Sequence, residues 1–300
     1  DLQESLEAMA RASQSAVRHE KDGDHGSVSV LRADLLPRRD RVLLQAAARV
    51  VILARRGTLS EQVVRLQRLR PGPLPPRLRT PRETAKAISP PALDLEFFNG
   101  LGGFTAGGRE YVTALGKGQW TPAPWINVVA NQDFGFQTSE SGSGFTWSVN
   151  SRENKLTPWS NDPVSDPPGE TFYVRDEDSG IVWGPTSLPI REEARPYVIR
   201  HGQGYSRFEH TSHGIALDLL QFVPPRDAVK ISRLTLENRS KGKRRLSVTA
   251  YAEWVLGVAR SDTAPFVVTE LDPATGAMLA RTAWNGEFAG RVAFADLGGR

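Results

Sequence analysis

Seven of the chain's 21 prolines fall within residues 71–91, and that run decides how the 300 residues divide. They are Pro71, Pro73, Pro75, Pro76, Pro81, Pro90 and Pro91. Proline has no N–H and pushes its predecessor out of the helical region, so neither a helix nor a central strand continues through such a run. We read residues 71–94 as a semi-rigid linker between a helical segment, 1–70, and a second domain, 95–300. All 24 aromatic residues follow position 96. The first 90 residues hold 17 Lys and Arg against 10 Asp and Glu, a net of +7, and the remainder hold 21 against 24, a net of −3. The overall +4 therefore belongs to the N-terminal third. Its basic residues are scattered Arg without aromatic neighbours on which bases could stack, so no nucleic-acid partner is expected.

Ahead of the linker the apolar spacing is helical. Leu2, Leu6 and Met9 share one face of a helix over Leu2 to Val17, and His19 to Ser27 is polar enough for a loop. Val42, Leu43, Ala46, Ala47, Val50, Val51 and Leu53 predict a helix from Asp40 to Arg56, with Asp40 as its cap and Gly57 ending it. Thr58 and Glu61 form a capping-box pattern for a second helix reaching about Leu69. No apolar run reaches the ~20 residues of a spanning helix, so no membrane span is expected in this chain. The absence of cysteine excludes disulfides, zinc–thiolate sites and a cysteine nucleophile. The chain opens on Asp1 and closes on Arg300 after two glycines, and we read both ends as cut edges of a longer protein.

After the linker, turn residues recur every 8–12 positions, as at Gly107-Gly108, Gly142 to Gly144, Asp178-Ser179-Gly180 and Asn238 to Gly242. Short runs rich in Val, Thr, Phe, Tyr and Trp lie between them. Phe145 to Val149, Val229 to Leu236 and Leu246 to Tyr251 alternate with period two, the mark of strands with one buried face. The fold class expected is mainly β, a large antiparallel sandwich, with Glu237 to Arg245 as the polar loop of a hairpin.

Five of the seven tryptophans, Trp120, Trp125, Trp147, Trp159 and Trp183, lie between Gly116 and Trp183, interleaved with Asn, Asp, Arg and Glu. Two readings stand side by side. Aromatic faces beside fixed polar groups suit a sugar, whose C–H face packs on the ring while its hydroxyls find hydrogen bonds. Equally, the tryptophans suit a sandwich core and the Asn and Asp residues suit turns. The Pro-stiffened run Thr157 to Gly169 carries Trp159, Asp162 and Asp166, and stiff polar loops are common functional sites. Asp162 and Asp166 match a two-carboxylate glycosidase by residue type alone, and turn roles compete with that. His201, His210 and His213 lack a metal-ligand pattern, and Asp176 to Gly180 lacks calcium-loop spacing and reads as a hairpin turn. No metal or cofactor is expected.

Longer motifs resemble a known family. Phe97-Phe98-Asn99-Gly100-Leu101-Gly102-Gly103-Phe104, Gly108-Arg109-Glu110-Tyr111-Val112 and Thr121-Pro122-Ala123-Pro124-Trp125-Ile126-Asn127 are similar to the start of the phosphorylase-type region of bacterial cyclic β-1,2-glucan synthases. Ser148-Val149-Asn150-Ser151-Arg152-Glu153-Asn154 through Pro163, and His201 to Arg207, continue the match. The layout also resembles, more distantly, cellobiose phosphorylase and glycoside hydrolase family 94, formerly glycosyltransferase family 36. The resemblance implies a β-supersandwich that precedes an (α/α)₆ catalytic barrel, truncated here at its C-terminus. It implies an inverting glycoside phosphorylase or glycosyltransferase as parent protein, with inorganic phosphate as co-substrate, and a fragment inactive by itself because the catalytic aspartate lies outside it. The implied partners are a β-glucan oligosaccharide, the barrel and a second copy in a homodimer. The implied location is the cytoplasmic side of the bacterial inner membrane, the fragment itself being soluble. Its rim residues are expected to be Trp147, Asn150, Arg152, Trp159, Asn161 and Asp162, with no catalytic residue and no metal ligand. A non-catalytic sugar-binding or structural and dimerisation module is the alternative.

Overall fold

A computed structural model describes residues 5, 8, 9, 31, 34–48, 51–68, 86–283 and 285–298. The chain divides into two compact units, Asp1–Leu74 and Pro75–Arg300. The expected helix over 2–17, the loop over 19–27 and most of the proline run lie outside the described residues.

In the first unit α1 spans Arg38–Ala47, and Ala48 already turns extended at φ −71° and ψ 132°. The helix expected to reach Arg56 therefore stops nine residues earlier. The β-branched run Val50-Val51-Ile52 lies at that point, where side-chain crowding opposes further helix. Asp40 sits inside the first turn rather than capping it. One 3₁₀ turn, Ala54–Arg56, follows, and Gly57 adopts φ 93°. α2 spans Leu59–Arg68. Its capping box forms as expected, with Thr58 N–H donating to Glu61 Oε2 at 2.8 Å and Glu61 N–H to Thr58 Oγ1 at 3.3 Å. Buried Gln62 ties the turn together, donating to the Leu53 and Gly57 carbonyls at 2.9 Å each and accepting from Leu53 N–H at 3.0 Å.

The second unit is all antiparallel. Its strands are β1 (Gly102–Phe104), β2 (Glu110–Leu115), β3 (Ile126–Ala130), β4 (Phe134–Ser139), β5 (Gly144–Ser148), β6 (Glu170–Asp176), β7 (Val182–Trp183) and β8 (Tyr197–Gly202). There follow β9 (Tyr205–Ser212), β10 (Ile215–Phe222), β11 (Ile231–Asn238), β12 (Leu246–Ala252), β13 (Val267–Leu271), β14 (Met278–Thr282) and β15 (Ala293–Ala295). A six-stranded sheet runs in the order β1-β2-β8-β9-β10-β11, beside three-stranded sheets β3-β4-β5, β12-β6-β7 and β13-β14-β15. The expected mainly-β sandwich is what the chain forms.

Period two explains the core. Along β10, Ile215, Leu217 and Leu219 are buried while Ala216, Asp218 and Leu220 are half-buried. Leu219 packs with Leu115, Tyr197, Ile199 and Phe208, and Phe172 of β6 closes over them. Ile215 and Leu217 pack with Val174 and Trp183. The six-stranded sheet and the β12-β6-β7 sheet therefore face each other across one apolar layer. On the opposite face charges meet across strands: Arg207 holds Asp218 through two bonds of 2.9 and 2.7 Å, and Arg200 bridges Glu209 at 2.8 Å and Glu110 at 3.2 Å.

One expected pairing is wrong. β11 and β12 both exist, but β11 pairs with β10 and β12 with β6. The segment between them is a corner joining two sheets and not a hairpin loop. Asn238 closes a local turn by accepting from Ser240 N–H at 3.0 Å and donating to the Gly242 carbonyl at 2.9 Å. Arg244 then crosses to the second sheet, donating to Asp176 Oδ2 at 2.9 Å and to the His213 carbonyl at 2.6 Å. This crossing puts Leu234 and Val248 on the two sides of one core.

Candidate functional site

The site begins with two neighbouring side chains of β5. Phe145 is buried, and Trp147 opposes Gly135 across the β4–β5 pair. A Cβ at Gly135 would come within 2.4 Å of the Trp147 ring, so that glycine makes room for the indole. Trp159, from the following loop, lies over Phe145 with ring centroids 5.4 Å apart and planes 17° apart. Trp147 meets the same ring at 5.3 Å. Trp159 is 45% exposed, so its indole is backed by an aromatic on one side and open to solvent elsewhere.

Hydrogen bonds hold the loop that carries it. Leu156 N–H donates to the Thr146 carbonyl at 2.8 Å, and Thr146 N–H donates to Thr157 Oγ1 at 2.8 Å. Thr146 and Thr157 both give their hydroxyls to Glu170, whose other oxygen takes Lys230 Nζ at 2.7 Å. Burial alone would raise the Glu170 carboxyl, but the Lys230 ammonium and the two hydroxyls outweigh it and hold the group below the usual range. Lys230 in turn lies 4.4 Å from the centre of the Phe136 ring.

Two short polar turns and one tie to the 139–141 segment shape the rest. Asn150 Oδ1 accepts from Arg152 and Glu153 N–H at 2.9 Å each. Asp162 Oδ1 accepts from Val164 and Ser165 N–H at 2.9 and 3.2 Å, and its Oδ2 takes the Ser165 hydroxyl. That hydroxyl, then the two amides, lower the Asp162 pKa. Asp166 Oδ2 accepts from the Ser139 and Ser141 hydroxyls at 2.6 Å each. Val149, Asn161 and Asp166 adopt positive φ of 65°, 50° and 38°. For β-branched Val149 this is a strained conformation that the surrounding bonds must enforce.

The six residues expected at the rim therefore separate by role. Trp147 and Trp159 converge on one aromatic cluster, and Trp159 is the exposed one. Asn150 and Asp162 fold their own turns. Arg152 is exposed and pairs with Glu153 at 3.3 Å, and Asn161 is exposed at the left-handed corner. The two carboxylates considered for acid–base work are both engaged, Asp162 as the acceptor of its own turn and Asp166 by the Ser139 and Ser141 hydroxyls of a distant segment.

Sequence reading missed the buried carboxylates around this loop. Glu140 accepts from Trp125 N–H at 2.7 Å and from the Thr121 hydroxyl, and burial still raises its pKa above the ordinary value. Glu170 left no local signal, because its partners Thr146, Thr157 and Lys230 are distant in sequence. The histidines do have an acidic neighbour: His210 and His213 both point Nε2 at Glu192, with the His210 bond at 3.0 Å. Glu192 is held well below the carboxylate range, since the two histidines overcome the effect of burial. Among the described residues no group of acidic and histidine side chains is arranged to hold a metal ion.

Residues 109–300 match the family model described as glycosyl hydrolase 94, supersandwich domain. The chain is 39% identical to the cyclic beta-(1,2)-glucan synthase NdvB of Rhizobium meliloti (strain 1021), over 98% of its own length and 11% of that protein. It is 29% identical to the N,N'-diacetylchitobiose phosphorylase of Vibrio proteolyticus, over 54% of the chain and 20% of the relative. It is 32% identical to the solabiose phosphorylase of Paenibacillus borealis, over 54% of the chain and 21% of the relative. The chain thus spans between about a tenth and a fifth of the length of these curated relatives.

Proposed function

The chain belongs to the glycosyl hydrolase 94 family through its supersandwich domain, and from that premise we propose that it is the scaffold part of a β-glucan-active phosphorylase or glycosyltransferase. In this reading the 147–162 segment offers a rim to a β-linked gluco-oligosaccharide, and the parent protein's barrel supplies the catalytic acid. The reaction is attack of inorganic phosphate on a β-glucosidic bond with inversion, or its reverse. Phosphate is the nucleophile, so a single general acid suffices and no carboxylate of this chain is assigned a catalytic role. The parent protein places this region on the cytoplasmic side of the inner membrane.

The observation that carries the rim reading is Trp159, backed by Phe145 and open to solvent on a loop whose turns are closed by hydrogen bonds. An aromatic already fixed in place loses little entropy when a sugar ring packs on it. Steady-state kinetics of the parent enzyme test it. Trp159→Ala is expected to raise KM for glucan about fivefold, with kcat little changed, as for a group that binds ground and transition states alike.

A second reading has its own support. Ile126 and Val128, 51% and 56% exposed, project from the same face of the β3-β4-β5 sheet as Phe145 and Trp147, an apolar surface suited to docking. A purely structural module predicts no kinetic effect of Trp159→Ala. An independent sugar-binding module predicts that the 300-residue chain alone binds β-1,2-linked oligosaccharides below about 1 mM by calorimetry, whereas the rim reading predicts weaker binding.

A further inference from the structure

The segment that carries Trp159 leans on a part of the chain far later in sequence. Lys155 bridges antiparallel to Trp147 of β5 on one side and to Gly257 on the other. On that outer side Lys155 N–H donates to the Gly257 carbonyl at 3.1 Å, and Gly257 N–H donates to the Lys155 carbonyl at 3.0 Å. Val255 N–H donates to the Leu156 carbonyl at 2.9 Å. Two side chains close the same seam. Lys155 Nζ donates to the Val258 carbonyl at 2.9 Å, and Asn285 Nδ2 reaches across 132 positions to the Glu153 carbonyl at 2.9 Å. The later partner is the stiffer one. Val255 and Leu256 are buried, and Leu256 holds φ 50°, a strained value for leucine that persists only where its surroundings impose it. A Cβ at Gly257 would come within 2.7 Å of Cγ2 of buried Thr263, in the helical turn Arg260–Thr263.

We propose that Lys155 and Asn285 are positioning residues for the rim: through them the 255–285 segment sets the turn that carries Trp159, and with it the direction its indole faces. The inner bonds of that turn, from Leu156 N–H and Asn154 Nδ2 to the Thr146 and Ser148 carbonyls, tie it to β5 alone. The outer bonds decide whether it stays flat against β5 or swings away from it. An aromatic set in place before a sugar arrives avoids the ordering cost of binding, so a loosened seam weakens binding and leaves the chemical step untouched. The functional half of this proposal rests on the rim reading, and the mechanical half stands on the bonds themselves.

Two variants separate the halves. Asn285→Ala and Lys155→Met each remove one side-chain bond of the seam and leave the buried residues in place. In the 300-residue chain, amide exchange at Lys155 and Gly257 should quicken about tenfold, as for one lost hydrogen bond. The Trp159 indole N–H resonance should move while that of Trp183 stays. Lys155→Arg keeps a donor for the Val258 carbonyl and should behave as wild type. In the parent enzyme Asn285→Ala and Lys155→Met should each raise KM for glucan about threefold at unchanged kcat, which a merely structural role would not do in a folded chain. Wild-type amide exchange and a wild-type Trp159 resonance in both variants overturn the proposal. So does an unchanged KM in both variants when Trp159→Ala raises it. If Trp159→Ala itself leaves KM unchanged, the rim reading falls, and the exchange and resonance measurements alone decide the seam.

Discussion

The β9–β10 hairpin and the 149–169 loop are each held in one conformation, by opposite means. The hairpin buries Phe208, Ile215, Leu217 and Leu219 between two sheets. The loop exposes most of its side chains and relies on Asn150, Asp162 and Asp166 to satisfy amides and hydroxyls. Apolar burial tolerates no missing atoms, whereas a network of local turns can lose one member and keep the rest. A surface meant to meet a ligand benefits from the second arrangement, since it fixes a shape without covering it.

Substitutions can break or sharpen that contrast. Leu219→Ala in the hairpin should cost about 3 kcal/mol, read as a lowered denaturation midpoint, because the removed atoms leave a cavity. Lys230→Met should cost about as much, near 3 kcal/mol, by leaving Glu170 charged beneath the loop without its cation. Adding Glu170→Leu should recover most of the loss. If Lys230→Met is silent, the loop does not depend on the pair beneath it.

Acid separates the regions further. His201, half-buried with Nε2 on the Trp125 carbonyl at 3.1 Å and Nδ1 on Ser206 Oγ at 3.0 Å, is pushed down to about 4 by desolvation. The unfolded chain takes up that proton near pH 6.5, before the folded one does. Folded stability is therefore intact above about pH 6.5 and falls as pH drops toward 4, by about 3 kcal/mol from this residue. His201→Gln should flatten the decline in a series of denaturation curves, and an unchanged slope would contradict the assignment. In the loop, Asn150→Ala should cost about 1 kcal/mol, and Trp159→Ala less than that, by the same measurement.

The sequence made the sandwich legible because its strands obey period two with one wet face, as along Leu246 to Tyr251. It made the Thr58–Glu61 capping box legible because both partners sit three residues apart. It misjudged β11 and β12 because adjacency in sequence favours a hairpin, while Arg244 reaches Asp176 across 68 positions. The helix from Asp40 was overextended because apolar spacing continues through a β-branched run that resists helix. At the site, Trp159 could be picked out by composition. The burial of Glu140 and Glu170, and the use of Asp162 within its own turn, depend on contacts that no local pattern encodes.

The central claim is that Trp159 faces the glucan from a fixed loop while Trp183 serves the core. Indole N–H resonances of the 300-residue chain, assigned by single Trp→Phe variants and followed during titration with a β-1,2-linked gluco-oligosaccharide, test it directly. The account predicts a shift at Trp159 that develops only above about 1 mM sugar, a smaller one at Trp147 and none at Trp183. Shifts absent from Trp159, or spread evenly over buried and exposed indoles, would contradict it.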